Sequence, residues 1–143
     1  MAGAACSITR STRQIGGSRK KEVLLWLEFT SDDTTGLCPA QDLLNLNNYV
    51  VTEVTPYPDA VAPPTAEYEV RIEDSNDVQA FLSGSIAVDG VDPIGGHVGT
   101  TTGNYPRMDA EMVIKIVDPA DHATLLNIGN SKTTTILLRL EEK

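Results

Sequence analysis

The chain offers few side chains that could do chemistry, and its two histidines are the first to consider. His97 lies in a glycine-rich stretch, and His122 follows Asp121 in a turn-forming stretch. A catalytic histidine needs a nucleophile or a carboxylate within hydrogen-bond reach, and neither histidine lies beside a nucleophile motif such as GxSxG. We therefore expect surface or turn roles for both, and the sequence predicts no catalytic residue.

Glycines and aspartates elsewhere in the chain could hold a phosphate or a metal ion. The segment GGHVG at residues 95–99 resembles a phosphate-binding loop only in its glycines, because it lacks the GK[ST] ending. Asp32 with Asp33, and Asp89 with Asp92, could give oxygen ligands to calcium, but the EF-hand spacing is absent. Turn formation is the simpler explanation for these aspartates. The sequence therefore predicts no metal site and no cofactor.

The two cysteines, Cys6 and Cys38, have no spacing typical of a metal site and form no CxxC motif. The N-terminal residues contain no apolar core of a secretory signal, and no window approaches the roughly 18–20 consecutive apolar residues of a membrane helix. We therefore expect the protein to accumulate in a cytoplasm, where thiols stay reduced. The cysteines are then small reduced hydrophobes, and a disulfide between them is the alternative.

Charge is distributed unevenly along the 143 residues, which have a net charge of −9. The first 21 residues hold five basic and no acidic side chains, whereas the other 122 hold six basic and all 20 acidic ones, a balance of −14. An acidic body disfavours nucleic-acid binding. The basic segment could dock on an acidic patch of another copy or another protein, or be a solvated edge strand that resists wrong pairing. Its charged residues are Arg10, Arg13, Arg19, Lys20 and Lys21.

The central stretch at residues 63–84 shows the pattern of a β-hairpin. Tyr68, Val70 and Ile72 alternate with polar residues, as in a strand with one dry and one wet face. A turn-forming cluster at residues 74–77 then leads into a second apolar run that closes on a glycine. The acidic residues of this stretch are expected on a solvated face or a contact surface. They are Glu67, Glu69, Glu73 and Asp74.

Further strands are predicted by the same period-two alternation, with turn signals between them. They are residues 21–30, 49–55, 111–117 and 133–141. Residues 5–15 could form an exposed strand or an arm, and residues 39–46 could form one or two helical turns. Residues 57–65 lie among four prolines and are expected to be a stiff connector outside any sheet interior.

Six to eight short strands without a βαβ rhythm predict an all-β fold. We expect an antiparallel β-sandwich or barrel-like domain with at most one or two short helical turns. Because only 5% of the residues are aromatic, the core must rest on valine, isoleucine and leucine. Residues 1–21 are expected to form a basic N-terminal strand or arm, and residues 22–143 a single sandwich domain.

Two places along the chain could contact other proteins. The strand at residues 21–30 is apolar on both faces, so it is central in its sheet, or the face with Leu24 and Trp26 meets a neighbouring subunit. The long loop at residues 89–106 carries Tyr105 among small polar residues, a composition that suits protein recognition but also a plain surface loop. Leu24, Trp26 and Tyr105 are therefore candidate interface residues, together with the five basic residues above.

Two stretches, APPTAEYEVRIEDSNDVQAFLSG and NIGNSKTTTILLRL, resemble sequences in a group of small virion proteins of tailed bacteriophages. In that group a proline-containing lead-in precedes a Tyr-x-Val/Ile strand, an Asp/Asn turn and a glycine-ended return strand, and a GNSK turn opens the last strand. The resemblance covers roughly residues 48–140, after an N-terminal strand of the type TRSTRQIG…VLLWLEFTSD. The chain departs from the group at residues 43–46 and 89–106.

The resemblance implies a structural role in a phage particle and brings no catalytic residues with it. We therefore expect a non-enzymatic virion protein, made and assembled in the host cytoplasm, with multiple copies on the head exterior or at the neck. The expected partners are the major capsid, portal or tail protein and further copies of the chain, with no nucleic acid and no membrane. The alternative is a tail-associated, or a receptor- or carbohydrate-binding, β-module, which the scarcity of aromatic residues disfavours.

Overall fold

The structure, a computed structural model, describes residues 3–14, 20–77, 79–83, 86 and 108–142. These ranges contain eight β-strands and no helix, and so no helix that could cross a membrane. In chain order the strands are β1 (Ala5–Gln14), β2 (Lys21–Thr30), β3 (Gln41–Leu44), β4 (Tyr49–Pro58), β5 (Glu69–Asp74), β6 (Gln79–Leu82), β7 (Glu111–Val117) and β8 (Thr133–Glu142). The predicted all-β class is confirmed.

The strands form two antiparallel sheets of four strands each. The first sheet has the order β1-β2-β8-β4, and the second has the order β3-β7-β5-β6. Apolar side chains from both sheets form one buried cluster, which is the arrangement of a β-sandwich. The predicted antiparallel sandwich is therefore confirmed, and the predicted central hairpin is the pair β5–β6.

β2 lies in the middle of the first sheet, between β1 and β8. Its inward side chains include Val23 and Leu27, which are fully buried and lie opposite Leu140 and Ile136 of β8. Burying an aliphatic side chain of this size contributes roughly 1.5–3 kcal/mol. The same alternation that buries these residues places Leu24 and Trp26 on the outer face of the sheet.

One buried hydrogen bond joins the two sheets. Tyr68, which pairs with Ile86 just before β5, places its hydroxyl 2.9 Å from Oγ1 of Thr134 in β8. Both residues are almost wholly buried. Burial raises the pKa of Tyr68 to about 12, so the hydroxyl stays neutral and able to donate.

Removing this hydroxyl should cost stability out of proportion to its size. In Tyr68→Phe, the buried Thr134 hydroxyl loses its partner, so we expect the free energy of unfolding to fall by about 1–2 kcal/mol. Urea unfolding of the wild-type and variant chains measures the difference. Tyr57→Phe is the matched control, since Tyr57 is 47% exposed and should change stability by less than about 0.5 kcal/mol.

The prediction of helical turns at residues 39–46 is wrong. The segment forms β3, which pairs with β7 from Gln41 opposite Ile114 to Leu44 opposite Glu111. Within it Leu43 is buried while Leu44 is exposed, which is the alternation of a strand rather than the spacing of a helix. Pairing with a distant strand therefore overrides the local helical preference of a short leucine-rich segment.

The predicted proline connector begins later than expected. β4 continues through Pro56 to Pro58, where these prolines lie opposite Ile136 and Thr134 of β8. Proline is tolerated there because β4 is the outermost strand of its sheet and bonds to one neighbour only. The segment at residues 120–128 contains turns and isolated bridges at Leu125 and Asn127.

Candidate functional site

Two aromatic rings stand together on the outer face of the first sheet. Trp26 of β2 and Tyr57 of β4 have ring centroids 5.7 Å apart with an interplanar angle of 36°. They remain 36% and 47% exposed, respectively. Leu137 of β8 lies directly opposite Trp26 and is only 4% exposed although it points outwards. We call Leu24, Trp26, Tyr57 and Leu137 the aromatic face.

Small polar side chains extend the aromatic face towards β1. Ser7, Thr9 and Ser11 are exposed on the same outer side, and Thr9 lies directly opposite Trp26. None of these side chains is large enough to cover the indole ring. The result is an exposed surface with an apolar centre and a polar border, which is the usual anatomy of a protein–protein contact patch.

A charged cluster borders the aromatic face at one end. Nε of Arg13 donates to Oε1 of Glu22 at 2.6 Å, and the Glu22 side chain is 5% exposed. Arg139 lies between two carboxylates, with its guanidinium 3.9 Å from Glu22 and 3.7 Å from Glu53. Nε of Arg139 is buried and has no hydrogen-bond partner among the described residues. The cluster therefore keeps one guanidinium N–H unsatisfied beside the aromatic face.

The structure separates the candidate interface residues predicted from the sequence. Leu24, Trp26 and Arg13 lie on the outer face of the first sheet, whereas Arg10 points to the opposite side of β1. The other basic residues are at the start of β2, where the backbone N–H of Lys21 donates to the Glu142 carboxylate at 3.3 Å. Lys20 is exposed next to it. The predicted candidates Arg19 and Tyr105 lie outside the described residues.

The sequence did not point to Tyr57, which lies between two prolines and was assigned to a connector. The available signal was the two-residue spacing of Thr55 and Tyr57. This spacing puts both side chains on the same face and continues the pattern of β4 to the end of the strand. Glu22 and Arg139 were also missed, because their proximity depends on the pairing of β2 with β8, more than 100 residues apart in the chain.

Of the two alternatives predicted for Glu69 and Glu73, a solvated face or a contact surface, the solvated face is wrong. They are 2% and 4% exposed. Glu73 accepts from Nε of Arg71 at 2.8 Å and forms an ion pair with Lys115 of β7. Burial raises the pKa of Glu73, but the hydrogen bonds and positive charges of Lys115 and Arg71 lower it more, so the pKa lies below its usual value.

The second buried carboxylate, Glu69, pairs with Nδ1 of His122. His122 has a left-handed backbone conformation, with φ of 62°, in the turn after β7. Arg71 fixes this turn by donating to the His122 carbonyl at 3.0 Å. Asp121 caps the same turn, and hydrogen bonds from the Thr124 side chain and the backbone N–H groups of Ala123 and Thr124 lower its pKa to about 2.

This polar network joins β5 to the turn after β7. Its hydrogen bonds link His122 to Glu69 and Arg71 to the His122 carbonyl, and none of these groups is a hydroxyl or thiol that could serve as a nucleophile. The described part of the chain also contains no group of three or more histidine, cysteine, aspartate or glutamate side chains placed to hold a metal ion. Asp32 accepts from the backbone N–H groups of Thr34 and Thr35, as expected for a turn aspartate. His97, residues 95–99, Asp89 and Asp92 lie outside the described residues.

The two cysteines are free thiols. Cys38 is buried in the core, and Cys6 of β1 is half-buried against it. Burial raises the pKa of Cys6 to about 11 and that of Cys38 to about 12. Both side chains are therefore protonated at neutral pH and act as small hydrophobes in the sandwich.

No protein-family model matches this chain, and no curated protein or solved structure matches it either. The proposal for its function therefore depends on the aromatic face and its charged border.

Proposed function

We propose that this chain is a non-enzymatic structural protein that assembles through contacts made by the aromatic face. The main support for the proposal is the exposed Trp26–Tyr57 pair on the outer side of a four-stranded sheet. Aromatic residues dominate the energetics of protein interfaces because they bury a large area at little cost in conformational entropy. Trp26 is 36% exposed, so a partner that covers it removes apolar surface from water, which favours association.

The charged border supports the same proposal. Interface centres are typically apolar and ringed by polar groups that fix orientation. Here Arg13, Glu22, Arg139 and Glu53 lie at one end of the aromatic face, and the Arg13 side chain, which is 63% exposed, is accessible to an acceptor on a partner. Such groups give specificity to a contact whose affinity comes from the rings.

We place this assembly in a tailed-bacteriophage particle, on the head exterior or at the neck. The basis for this is the resemblance of the hairpin and of the last strand to small virion proteins. The proposed partners are the major capsid, portal or tail protein and further copies of the chain, and the proposed location is the virion. A net charge of −9 disfavours nucleic acid as the partner.

A second candidate function, carbohydrate binding by a tail-associated module, is favoured by the same pair of rings. Sugar rings stack on exposed tryptophan and tyrosine faces, and the polar residues around Trp26 could bond to hydroxyl groups. The interplanar angle of 36° between Trp26 and Tyr57 disfavours this reading, because no single flat platform results. A glycan-array screen of the wild-type chain distinguishes the two: specific binding that Trp26→Ala abolishes would support the sugar site.

The assembly proposal is tested with the double variant Trp26→Ala/Tyr57→Ala. We expect its affinity for purified particles, measured from occupancy against the wild-type chain, to fall by about several hundredfold, because each aromatic anchor contributes about 2 kcal/mol in such contacts. Val61→Ala is the matched control, since Val61 is an apolar side chain that is 92% exposed and is not one of the residues of the aromatic face. Wild-type occupancy of the double variant, with its β-sheet circular dichroism spectrum intact, would refute the proposal.

A further inference from the structure

One edge of the first sheet is closed to further strands. The Asp59 N–H donates to the carbonyl of Thr133 at 3.1 Å, so the backbone of Asp59 faces β8. Because successive residues of an antiparallel strand direct their N–H and C=O positions to opposite sides, those of Pro58 and Pro56 face away from β8. Proline has no N–H, and this edge therefore lacks two of the donors that an added strand would need. At the other end of β4, the carbonyl of Tyr49 already accepts from another residue's N–H.

The opposite edge, β1, is open. It has ten residues, contains no proline and is exposed at all but one position. The Ser31 N–H donates to the Lys132 carbonyl at 2.8 Å, so the odd-numbered residues of β2 direct their N–H and C=O groups towards β8. The even-numbered residues of β2 then direct theirs towards β1, and they lie opposite the odd-numbered residues of β1. The odd-numbered residues of β1 therefore use their backbone groups to pair with β2. The N–H and C=O groups that point off the sheet therefore belong to Cys6, Ile8, Arg10, Thr12 and Gln14.

The other long strands cannot offer a comparable edge. β2, β8, β5 and β7 have neighbours on both sides, and the edge strands of the second sheet, β3 and β6, have only four residues each. In the ranges that the structure describes, β1 is therefore the one long edge with free backbone donors and acceptors, which are those of Cys6, Ile8, Arg10 and Thr12. Such an edge readily pairs with an extended segment of another chain.

A cleft of about 430 Å³ lies directly beside this open edge, between β1 and β3. Its walls are mostly aliphatic, and Ile8 and Leu44 are 41% and 54% exposed there. Because side chains alternate along a strand, a segment added to β1 would direct every second side chain into the cleft. The remaining lining residues are Arg10, Leu25, Gln41, Asp42, Leu43 and Leu46.

Charge determines which kind of segment fits. β1 contains Arg10 and Arg13 and no acidic residue, and no ion pair of Arg10 is formed with the described residues. A second copy is a poor occupant, because its β4 edge is blunted by prolines, its β3 and β6 are short, and its β1 has no carboxylate to place beside Arg10. An extended segment with a carboxylate opposite Arg10 would instead gain a charge-assisted hydrogen bond.

We propose that β1 and the adjoining cleft bind an extended segment of a different protein, which adds to the first sheet as a fifth strand. The segment places apolar side chains in the cleft and a carboxylate next to Arg10. Main-chain hydrogen bonds to the outward backbone groups of β1 hold it, and the cleft selects its side chains. This inference rests on the proposed role in assembly and names the chemistry of a partner at a site separate from the aromatic face.

The probe for this proposal is a capped peptide of alternating threonine and valine in which one central valine is replaced by glutamate. Hydrogen exchange of the full chain, followed by NMR, should show new protection of the N–H groups of Ile8, Arg10 and Thr12. The N–H groups of Thr9 and Ser11 should change little, because they already bond to β2. The same peptide with lysine in place of glutamate should bind more weakly.

Thr12→Pro tests the backbone requirement. It removes an outward N–H while leaving the pairing of β1 with β2 intact, and peptide affinity should fall about tenfold. Thr12→Val, which keeps the N–H, is the matched control and should bind like the wild-type chain. If Thr12→Pro does not fold, Arg10→Glu provides the second test, because it should reverse the preference between the glutamate and lysine peptides.

Three outcomes would overturn the proposal: no binding of the glutamate peptide to the wild-type chain, equal affinity of Thr12→Pro and Thr12→Val, or protection that spares the even-numbered residues. Self-association of the wild-type chain that Thr12→Pro abolishes would also overturn it, since the occupant would then be a second copy. Trp26→Ala/Tyr57→Ala should bind the peptide normally, so failure of the aromatic face and failure of the β1 site are distinguishable.

Discussion

Replacing Glu73 by glutamine is expected to lower the free energy of unfolding by about 2–3 kcal/mol. The side chain is 5% exposed and neutralises both Arg71 and Lys115, which are themselves 14% and 25% exposed. Removing one member of a buried ion pair typically costs 3–5 kcal/mol because the remaining charge stays uncompensated. The partial exposure of Arg71 and Lys115 lets water take over part of the role of Glu73, which places the expected value below that range.

The effect should depend on pH in a defined direction. The pKa of Glu73 in the folded chain lies below its usual value of 4.5, so its carboxylate stabilises the fold above that value. This contribution is lost as the pH falls through the lower folded-state pKa. The difference in unfolding free energy between the wild-type chain and Glu73→Gln should therefore shrink as the pH is lowered from 7 towards the acid range.

Urea unfolding at a series of pH values measures both effects. Glu111→Gln is the matched control, because Glu111 is an exposed carboxylate on β7, and it should change stability by less than about 0.5 kcal/mol. A Glu73→Gln chain as stable as the control at pH 7 would show that the buried network contributes nothing to folding. A difference that grows on acidification would contradict the direction of the pKa shift.

Gly36→Ala should be about as destabilising, by roughly 2–3 kcal/mol, for a different reason. Gly36 has φ of 70°, a left-handed conformation that costs a residue with a Cβ atom roughly 1–2 kcal/mol. The added Cβ would also lie 1.9 Å from Oδ1 of Asn127, which accepts the N–H of Gly129 at 2.8 Å. Moving the Asn127 amide to relieve this clash breaks that hydrogen bond, at a further cost of about 1 kcal/mol.

The same substitution at Gly3 is the control. A Cβ added there meets its nearest atom, Oδ2 of Asp32, at 3.9 Å, which is ordinary contact. Thermal unfolding followed by circular dichroism should show a clearly lower Tm for Gly36→Ala and an unchanged one for Gly3→Ala. Equal melting temperatures would mean that the turn between Gly36 and Asn127 adjusts without penalty.

The aromatic face shows how far local pattern goes towards a site. The alternation of residues 21–30 was enough to put Trp26 on the face opposite the buried Val23 and Leu27, because side chains alternate strictly along a strand. It could not show that Tyr57 stands 5.7 Å from Trp26 across an intervening strand. That meeting depends on which strands β8 pairs with and in what register, and both are set by contacts far apart in the chain.

The acidic residues of β5 show a limit of the same pattern. Alternation placed Glu69 and Glu73 opposite the apolar residues of the strand, and this is where they lie. The outer face of a sheet is solvated only if nothing covers it, however. Here Lys115 from β7 and His122 from the following turn pair with the two carboxylates and cover them. The sequence of β5 gives no indication of these contacts.

By itself, the sequence determined that this protein is built from short antiparallel strands, because period-two patterning and turn residues act within a few positions of one another. It also determined the basic character of the first strand and the acidic character of the rest. Only the tertiary structure decided that β4 is a blunted edge, that β1 is an open one beside a cleft, and that residues 41–44 are a strand. The physical reason is that every residue type except proline makes the same backbone hydrogen bonds between strands, so strand neighbours are chosen by the packing of the whole core.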